Sequence, residues 1–276
     1  MHPILLKIKN FPVIGSLTIR TYGLMMAIAF LTGYFLLRWE LKRRNKDPQS
    51  ATDVIFWAAI GGVVGARLFY LFEHIPEVMQ NPLGMIFSGA GLVFHGGLIG
   101  GTVAVIIYLK QNNRSLGMYA DIIGPLMLIG QGIGRIGCYF AGCCHGICTR
   151  SFLGVVFPKN SNAFYHQLNE NIIKYSADNP LPVHPTQLYE MAYNFIVAFL
   201  LIKYIRPKLK KRGATFALYL ILAGTERFLL EFIRVNPERL WGLSDYQLTS
   251  IILVLAGGII LKYFTNETKP ENEMGV

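Results

Sequence analysis

The stretch "IRTYGLMMAIAFLTGYFLLRWELKRRNKDPQS", from Ile19 to Ser50, decides the fold class. No charge interrupts it between Arg20 and Arg38; Arg38, Lys42, Arg43, Arg44 and Lys46 then arrive together. The hydrocarbon core of a bilayer takes roughly 20 residues of helix, and clustered lysine and arginine mark the cytoplasmic end of a span. An apolar run of this length, closed by such a cluster, reads as a membrane helix with a defined direction.

The rest of the chain repeats the pattern. Of 276 residues, 53% are hydrophobic and only 15% are charged, and the mean hydropathy is +0.40. Soluble domains carry about 25% charged residues, so this composition points to an integral membrane protein. The net charge of +10 does not imply a nucleic-acid partner, because the basic residues sit in short clusters between apolar runs. Seven runs approach or reach spanning length: about 20–38, 53–72, 92–109, 117–134, 187–205, 214–233 and 247–264. None alternates with period two over about ten residues, as a transmembrane β-barrel would require. The first 20 residues lack the continuous apolar core and small-residue cleavage site of a signal peptide. The expected fold is all-α and polytopic, with about seven transmembrane helices. It forms a single membrane-embedded domain over 1–276, with one long polar insertion at about 145–185.

Three loops carry the basic clusters: 38–50, 110–115 (Lys110, Arg114) and 203–213 (Lys203, Arg206, Lys208, Lys210, Lys211, Arg212). With seven spans these loops and the C-terminal tail share one side, the cytoplasmic one. The N-terminus, the insertion at 145–185 and the loop "VNPERLWGLSDY" then face outward, and the insertion becomes a small exported cap.

A charged side chain at the bilayer centre costs about 2.5–3.5 kcal/mol on insertion scales, so charges kept within spans are informative. This chain keeps Arg67, Asp121, Arg135, Glu226, Arg227, Glu231 and Arg234. Several arginines at membrane depth suit an anionic ligand, because the guanidinium fork binds phosphate bidentately. The plainer alternative is a structural ion-pair stripe, since Arg227, Glu231 and Arg234 fall on one helical face. Arg67, near the end of its run, equally fits snorkelling or a structural pair. His95 lies in the glycine-rich "HGGLIGG"; Gly96 and Gly97 beside it suit close helix packing or close backbone approach to a ligand. Histidine is the side chain best suited to take a proton from a thiol or hydroxyl near neutrality, although a lone histidine on an apolar face is more often a structural group.

All four cysteines fall in "QGIGRIGCYFAGCCHGICTR", Gln131–Arg150, at 138, 143, 144 and 148. The C-x4-C-C-x3-C spacing is not the C-x2-C pair of common zinc sites, and adjacent Cys143 and Cys144 are poorly disposed to share one tetrahedral ion. No metal is therefore expected. Disulfides in an exported loop, reduced packing and a catalytic thiol are the other readings.

Six blocks in order, "IRTYGLMMAIAF", "FHGGLIGG", "ADIIGPLMLIGQGIGRIG", "HPTQLYE", "ERFLLEFIR" and "LSDYQLTSI", resemble the bacterial phosphatidylglycerol–prolipoprotein diacylglyceryl transferase family from about residue 16 to 264. The resemblance implies a seven-span enzyme of the bacterial inner membrane. It would move the diacylglyceryl group of phosphatidylglycerol, a membrane lipid, to the lipobox cysteine of preprolipoprotein signal peptides. A thioether forms, glycerol-1-phosphate leaves, and no metal or organic cofactor is needed.

Matched motif by motif, the resemblance implies a first-span tyrosine at Tyr22 and a base or positioning group at His95. It implies a headgroup arginine at Arg135 and a second cluster at Arg227, Glu231 and Arg234. Gly96, Gly97, Gly142 and Gly146 would shape the substrate site, and Asp121 and Glu190 would orient neighbours. The family signature after "GRIG" has asparagine where this chain has Cys138, a second asparagine at Ala141 and an acid at Cys143. Cysteine is a weak donor and acceptor, so the amide hydrogen bonds must be replaced, and loop-closing disulfides would serve. Two other functions stay open: transfer of a lipid group to a different acceptor, and small-molecule transport, which intramembrane charges also mark.

Overall fold

A computed structural model describes residues 4–11, 15–80, 84–85, 91, 93–176, 179–236 and 242–264. The chain opens with an antiparallel hairpin, β1 (Ile4–Phe11) and β2 (Gly15–Arg20), in which Ile8 pairs with Leu17. Helices follow: α1 (Thr21–Arg43), α2 (Gln49–Glu73), α3 (Ile75–Gln80), α4 (Phe94–Gln111), α5 (Leu116–Ala141), α6 (Asn162–Asn169), α7 (Thr186–Leu200), α8 (Ala214–Glu231) and α9 (Asp245–Ile259). Short π-helical turns extend α7 through Ile205 and α9 through Phe264.

The protein is a polytopic helical membrane protein. A helix stands at each of the seven apolar runs, and among the described residues five helical stretches are long and apolar enough to cross a membrane: Thr21–Arg43, Gln49–Glu73, Leu116–Ala141, Thr186–Lys208 and Asp245–Tyr263. The other two, α4 and α8, have 18 residues each, and α8 carries Glu226, Arg227 and Glu231. Two expectations need amendment or fall elsewhere. The β1–β2 hairpin is an addition to the all-α reading. The C-terminal tail beyond 264, residues 237–241 of the loop expected to face outward and residue 92 at the start of the third run lie outside the described residues.

The chain divides into two compact units, Tyr34–Tyr119 and the remainder, Met1–Gly33 with Ala120–Val276. Within the first, α2 packs on α4 through glycine. A Cβ on Gly65 would lie 2.4 Å from the Gly96 carbonyl oxygen and 2.7 Å from Gly100 Cα, so the two backbones touch where no side chain fits. This is the small-residue contact that lets membrane helices approach closely. Polar clasps hold the same unit together: Tyr108 donates to Asp53 at 2.7 Å, Ser50 and Tyr119 share a hydrogen bond of 2.7 Å, and Arg114 pairs with Asp47 at 2.9 Å. Arg67 donates to the backbone carbonyls of Gly91, at 3.1 Å, and of Met85, and lies over the Tyr70 ring. These contacts favour a structural role over snorkelling.

In the larger unit, Leu128 of α5, Val197 and Ala198 of α7, Leu201 beyond it and Tyr219 of α8 form a buried core. Asp121, fully buried in α5, accepts hydrogen bonds from the backbone N–H groups of Gly213 (3.0 Å), Thr215 (2.8 Å) and Phe216 (3.1 Å). The first N–H groups of a helix have no partner within it. A carboxylate from a neighbouring span satisfies them for α8 and faces the positive end of its dipole.

The insertion between α5 and α7 is folded. Phe157, Ala163 and Val183 make a small core, Val155 pairs with Val183, and the Gln167 amide bonds both backbone groups of Leu181.

Candidate active site

Glu190 is the hub. It lies on α7 with a side chain only 4% exposed, and three guanidiniums reach it. Arg135 of α5 pairs with Oε2 through Nε, while Arg234 and Arg227 approach Oε1 through Nη1 at 2.7 and 3.5 Å. Arg227 also pairs with Glu231 one helical turn on, at 3.0 Å, and its guanidinium lies 4.4 Å from the Tyr246 ring centroid. Glu231 is held in turn by Asn236 and by the Ser244 hydroxyl, both at 2.7 Å. Ser244 also caps α9 in a reciprocal pair with Gln247, so the start of that helix is fixed to the site.

Local sequence explains the placement. Arg227 and Glu231 are i, i+4 on α8, where side chains stack on one face. Arg234 follows in the turn that ends α8, its N–H bonded to the Glu231 carbonyl. Arg227 and Arg234 thus stand near the negative end of the α8 dipole, which favours cations. The loop after α5 is tied to the tail of α8, where Ile147 N–H donates to Ile233 O at 2.9 Å, and to the segment before α7, where Gly146 N–H donates to His184 O at 2.8 Å. Gly146 fits there because it is glycine. A Cβ would meet Ile233 O at 2.6 Å and His184 Cβ at 2.8 Å. Gly142, with φ +71°, turns the chain out of α5 in the left-handed conformation that glycine adopts without strain.

The arrangement gathers more guanidinium donors than the lone pairs of Glu190 and Glu231 can absorb. Burial makes each charge costly unless it is paired. Such a cluster of fixed arginines suits an anion with several oxygens, such as a phosphate.

Arg135, Arg227, Glu231 and Arg234 are thus brought together, and Glu190, which the sequence suggested only as an orienting group, joins them at the centre. Tyr22 lies in the first turn of α1, 45% exposed, with its Cα 3.3 Å from where a Gly137 Cβ would stand and within electrostatic reach of Arg135. Gly142 and Gly146 shape the loop after α5. His95 is half-buried in the first turn of α4, in the other unit. Gly96 and Gly97 beside it face α2, where packing accounts for them.

The cysteines take an arrangement that their spacing concealed. All four are free thiols, and the sulfurs of Cys138, Cys143 and Cys144 lie within 4.8 Å of one another. Cys144 has φ +64°, which turns its side chain back beside that of its neighbour. Neighbouring side chains in extended backbone point to opposite sides, whereas this turn brings both sulfurs to one side. Hydrogen bonding from Cys138 and Cys143 draws the Cys144 thiol well below the ordinary thiol range, with help from Arg234 and Arg135 and against burial. Cys148 is exposed and stands apart. His145 turns away: Nδ1 bonds the Gly146 carbonyl at 3.0 Å, and the ring packs near Phe157 and His166. Burial and the nearby His166 push the His145 imidazole down from its usual range, so it is neutral near pH 7.

Comparison with known proteins agrees with this picture. The family model for prolipoprotein diacylglyceryl transferase matches residues 9–263. The chain is 31% identical over 258 residues to the phosphatidylglycerol–prolipoprotein diacylglyceryl transferase of Clostridium tetani, covering 93% of this chain and 95% of that one. It is 36% identical over 259 residues to the enzyme of that name from Staphylococcus xylosus, covering 90% and 86%. It is 32% identical over 266 residues to phosphatidylglycerol–prolipoprotein diacylglyceryl transferase 2 of Clostridium perfringens, covering 95% and 96%.

Proposed function

The chain belongs to the prolipoprotein diacylglyceryl transferase family, and from that premise we propose how its own residues carry out the transfer. The enzyme takes the diacylglyceryl group from phosphatidylglycerol and attaches it to the cysteine thiol of a prolipoprotein. The thiol sulfur attacks the glycerol carbon that bears the phosphate. An S–C bond forms, the C–O bond to phosphate breaks, and glycerol-1-phosphate leaves with the electron pair of that bond. No cofactor enters these steps.

One observation carries the assignment of roles: three guanidiniums meet at the buried carboxylate of Glu190. Arg135 and Arg227 take the lipid phosphate and stabilise the charge that grows on it as the bond breaks. Fixed donors aimed at developing charge are worth most in a site shielded from water. Arg234 and Glu231 hold this pair in register, and Glu190 keeps the arginines apart and oriented until the lipid arrives. Tyr22 borders the lipid path. Gly142 and Gly146 keep the loop after α5 close to the site.

His95 removes or orients the thiol proton. General-base groups contribute about 10²–10⁴-fold, so His95→Gln is expected to lower transfer about 10²-fold and to flatten the pH–rate profile. Unchanged rate and profile would leave His95 a packing group.

The reaction itself is tested with labelled phosphatidylglycerol and a lipobox peptide. Diacylglyceryl peptide is the expected product. Lipid consumption without that product would shift the reading to another acceptor, and turnover of neither would remove the transferase reading.

The protein sits in the bacterial inner membrane, with seven spans, the N-terminus and the insertion at 145–185 outside, and the C-terminus in the cytoplasm. The basic loops support this orientation. Alkaline phosphatase fused after Asn45 is expected to be inactive, and after Asn171 active, because the reporter folds only outside. Equal activity of the two fusions would overturn the orientation.

A further inference from the structure

The three cysteines at the end of α5 lie outside the roles assigned above, yet their surroundings are built. Cys138 is buried, and Cys143 and Cys144 are half-buried. The loop that carries them is clamped by two fully buried side chains of α7: Gln187 donates to the Cys143 carbonyl at 2.6 Å, and Thr186 donates to the Cys144 carbonyl at 2.7 Å. A further hydrogen bond runs from Cys143 N–H to the Cys138 carbonyl at 3.2 Å. The left-handed turn at Cys144 is held by these contacts rather than by glycine. The result is three sulfurs in one group, within 4.8 Å of one another.

We propose that Cys138, Cys143 and Cys144 form a binding site for a single thiophilic d10 metal ion, of the Cu(I) class, held by three thiolates. The distances suit it. With metal–sulfur bonds of about 2.3 Å, sulfurs around one trigonal ion stand about 4 Å apart. The observed group therefore closes on an ion with shifts of well under an ångström. The ligand set is all sulfur, which selects soft ions over magnesium or calcium. His145, the one nearby imidazole in the loop, is turned to the Gly146 carbonyl and not toward the sulfurs. That leaves three ligands rather than the four of a closed structural zinc site. On coordination each thiol gives up its proton to water. The complex is then anionic, and its counter-charge is at hand: Arg135 Nη1 lies 4.0 Å from Cys138 Sγ, and Arg234 also acts on Cys144. This inference does not depend on the transferase reading.

The test uses full-length protein in detergent, reduced and freed of reductant under anaerobic conditions. Cadmium(II) is added as the probe, followed through its thiolate charge-transfer absorption. The expected result is saturation at one ion per chain, with the band displaced by Cu(I). Cys138→Ser, Cys143→Ser and Cys144→Ser should each weaken binding about 100-fold or more, since even a group that only supports a ligand is worth about 10–100-fold. Cys148→Ser should bind like the parent, and helical circular dichroism identifies any variant that fails to fold. A second readout needs no variant: in the parent, cadmium(II) should protect Cys138, Cys143 and Cys144 from alkylation but not Cys148, as mapped by mass spectrometry. The proposal is overturned by absence of the band, by equal protection of all four cysteines, by binding that survives the three substitutions, or by a disulfide among the three in protein isolated without reductant.

Discussion

Arg135→Ala is expected to lower the rate of diacylglyceryl transfer by about 10²–10³-fold, the scale of removing one fixed donor from a developing charge. The change removes a guanidinium that is partly exposed and pairs with Glu190. Glu190 keeps Arg234 at 2.7 Å and Arg227 at 3.5 Å, so its carboxylate is not left alone and the fold should survive. The loss then appears in turnover rather than in stability. Arg135→Lys keeps the charge but not the planar fork, and a point charge cannot replace bidentate recognition of a phosphate. It should remain badly impaired. Steady-state transfer to a lipobox peptide, run beside a thermal unfolding measurement, separates the two effects. Parent-like turnover in Arg135→Ala would move the phosphate site elsewhere.

Glu190→Gln should act in the opposite sense, on stability first. Its carboxylate is shared by three arginines and is almost wholly buried. Removing one partner of a buried ion pair leaves uncompensated charge and costs about 3–5 kcal/mol. Among the described residues, Glu231 and Glu226 then remain as the acidic neighbours of the three cations. The variant is expected to unfold at clearly lower temperature or denaturant in detergent, and phosphatidylglycerol should recover part of the loss by supplying an anion in place of the carboxylate. A variant as stable as the parent, with or without lipid, would show that Glu190 is not the organising charge.

Much of the architecture can be read from patterns in the chain. All seven apolar runs coincide with helices, and among the described residues five helical stretches have the length and low charge that a span needs. The hairpin at 4–20 is an exception, although Leu6-Lys7-Ile8-Lys9 alternates with period two. Four alternating residues fall well short of the roughly ten that mark a membrane β-strand. Arg135, Arg227, Glu231 and Arg234 stood out because charge in an apolar run is costly. The hub, Glu190, did not: "HPTQLYE" carries no local sign that three distant arginines converge on its last residue. Asp121 is a similar case. Its role as the cap of α8 depends on backbone groups more than 90 residues away, and no local pattern encodes that. The cysteine group was hidden for a different reason. Spacing treats Cys143 and Cys144 as an ordinary neighbouring pair, whereas one left-handed residue places both sulfurs beside Cys138.

The central claim is that the arginines around Glu190 receive the phosphate of the lipid donor. It is tested most directly by an electron cryomicroscopy structure of the protein in nanodiscs containing phosphatidylglycerol. The expected result is a lipid phosphate within about 2.7–2.9 Å of guanidinium nitrogens of both Arg135 and Arg227, the distance of a charge-assisted hydrogen bond. A phosphate bound elsewhere, with Arg135 and Arg227 still closed on Glu190, would contradict it.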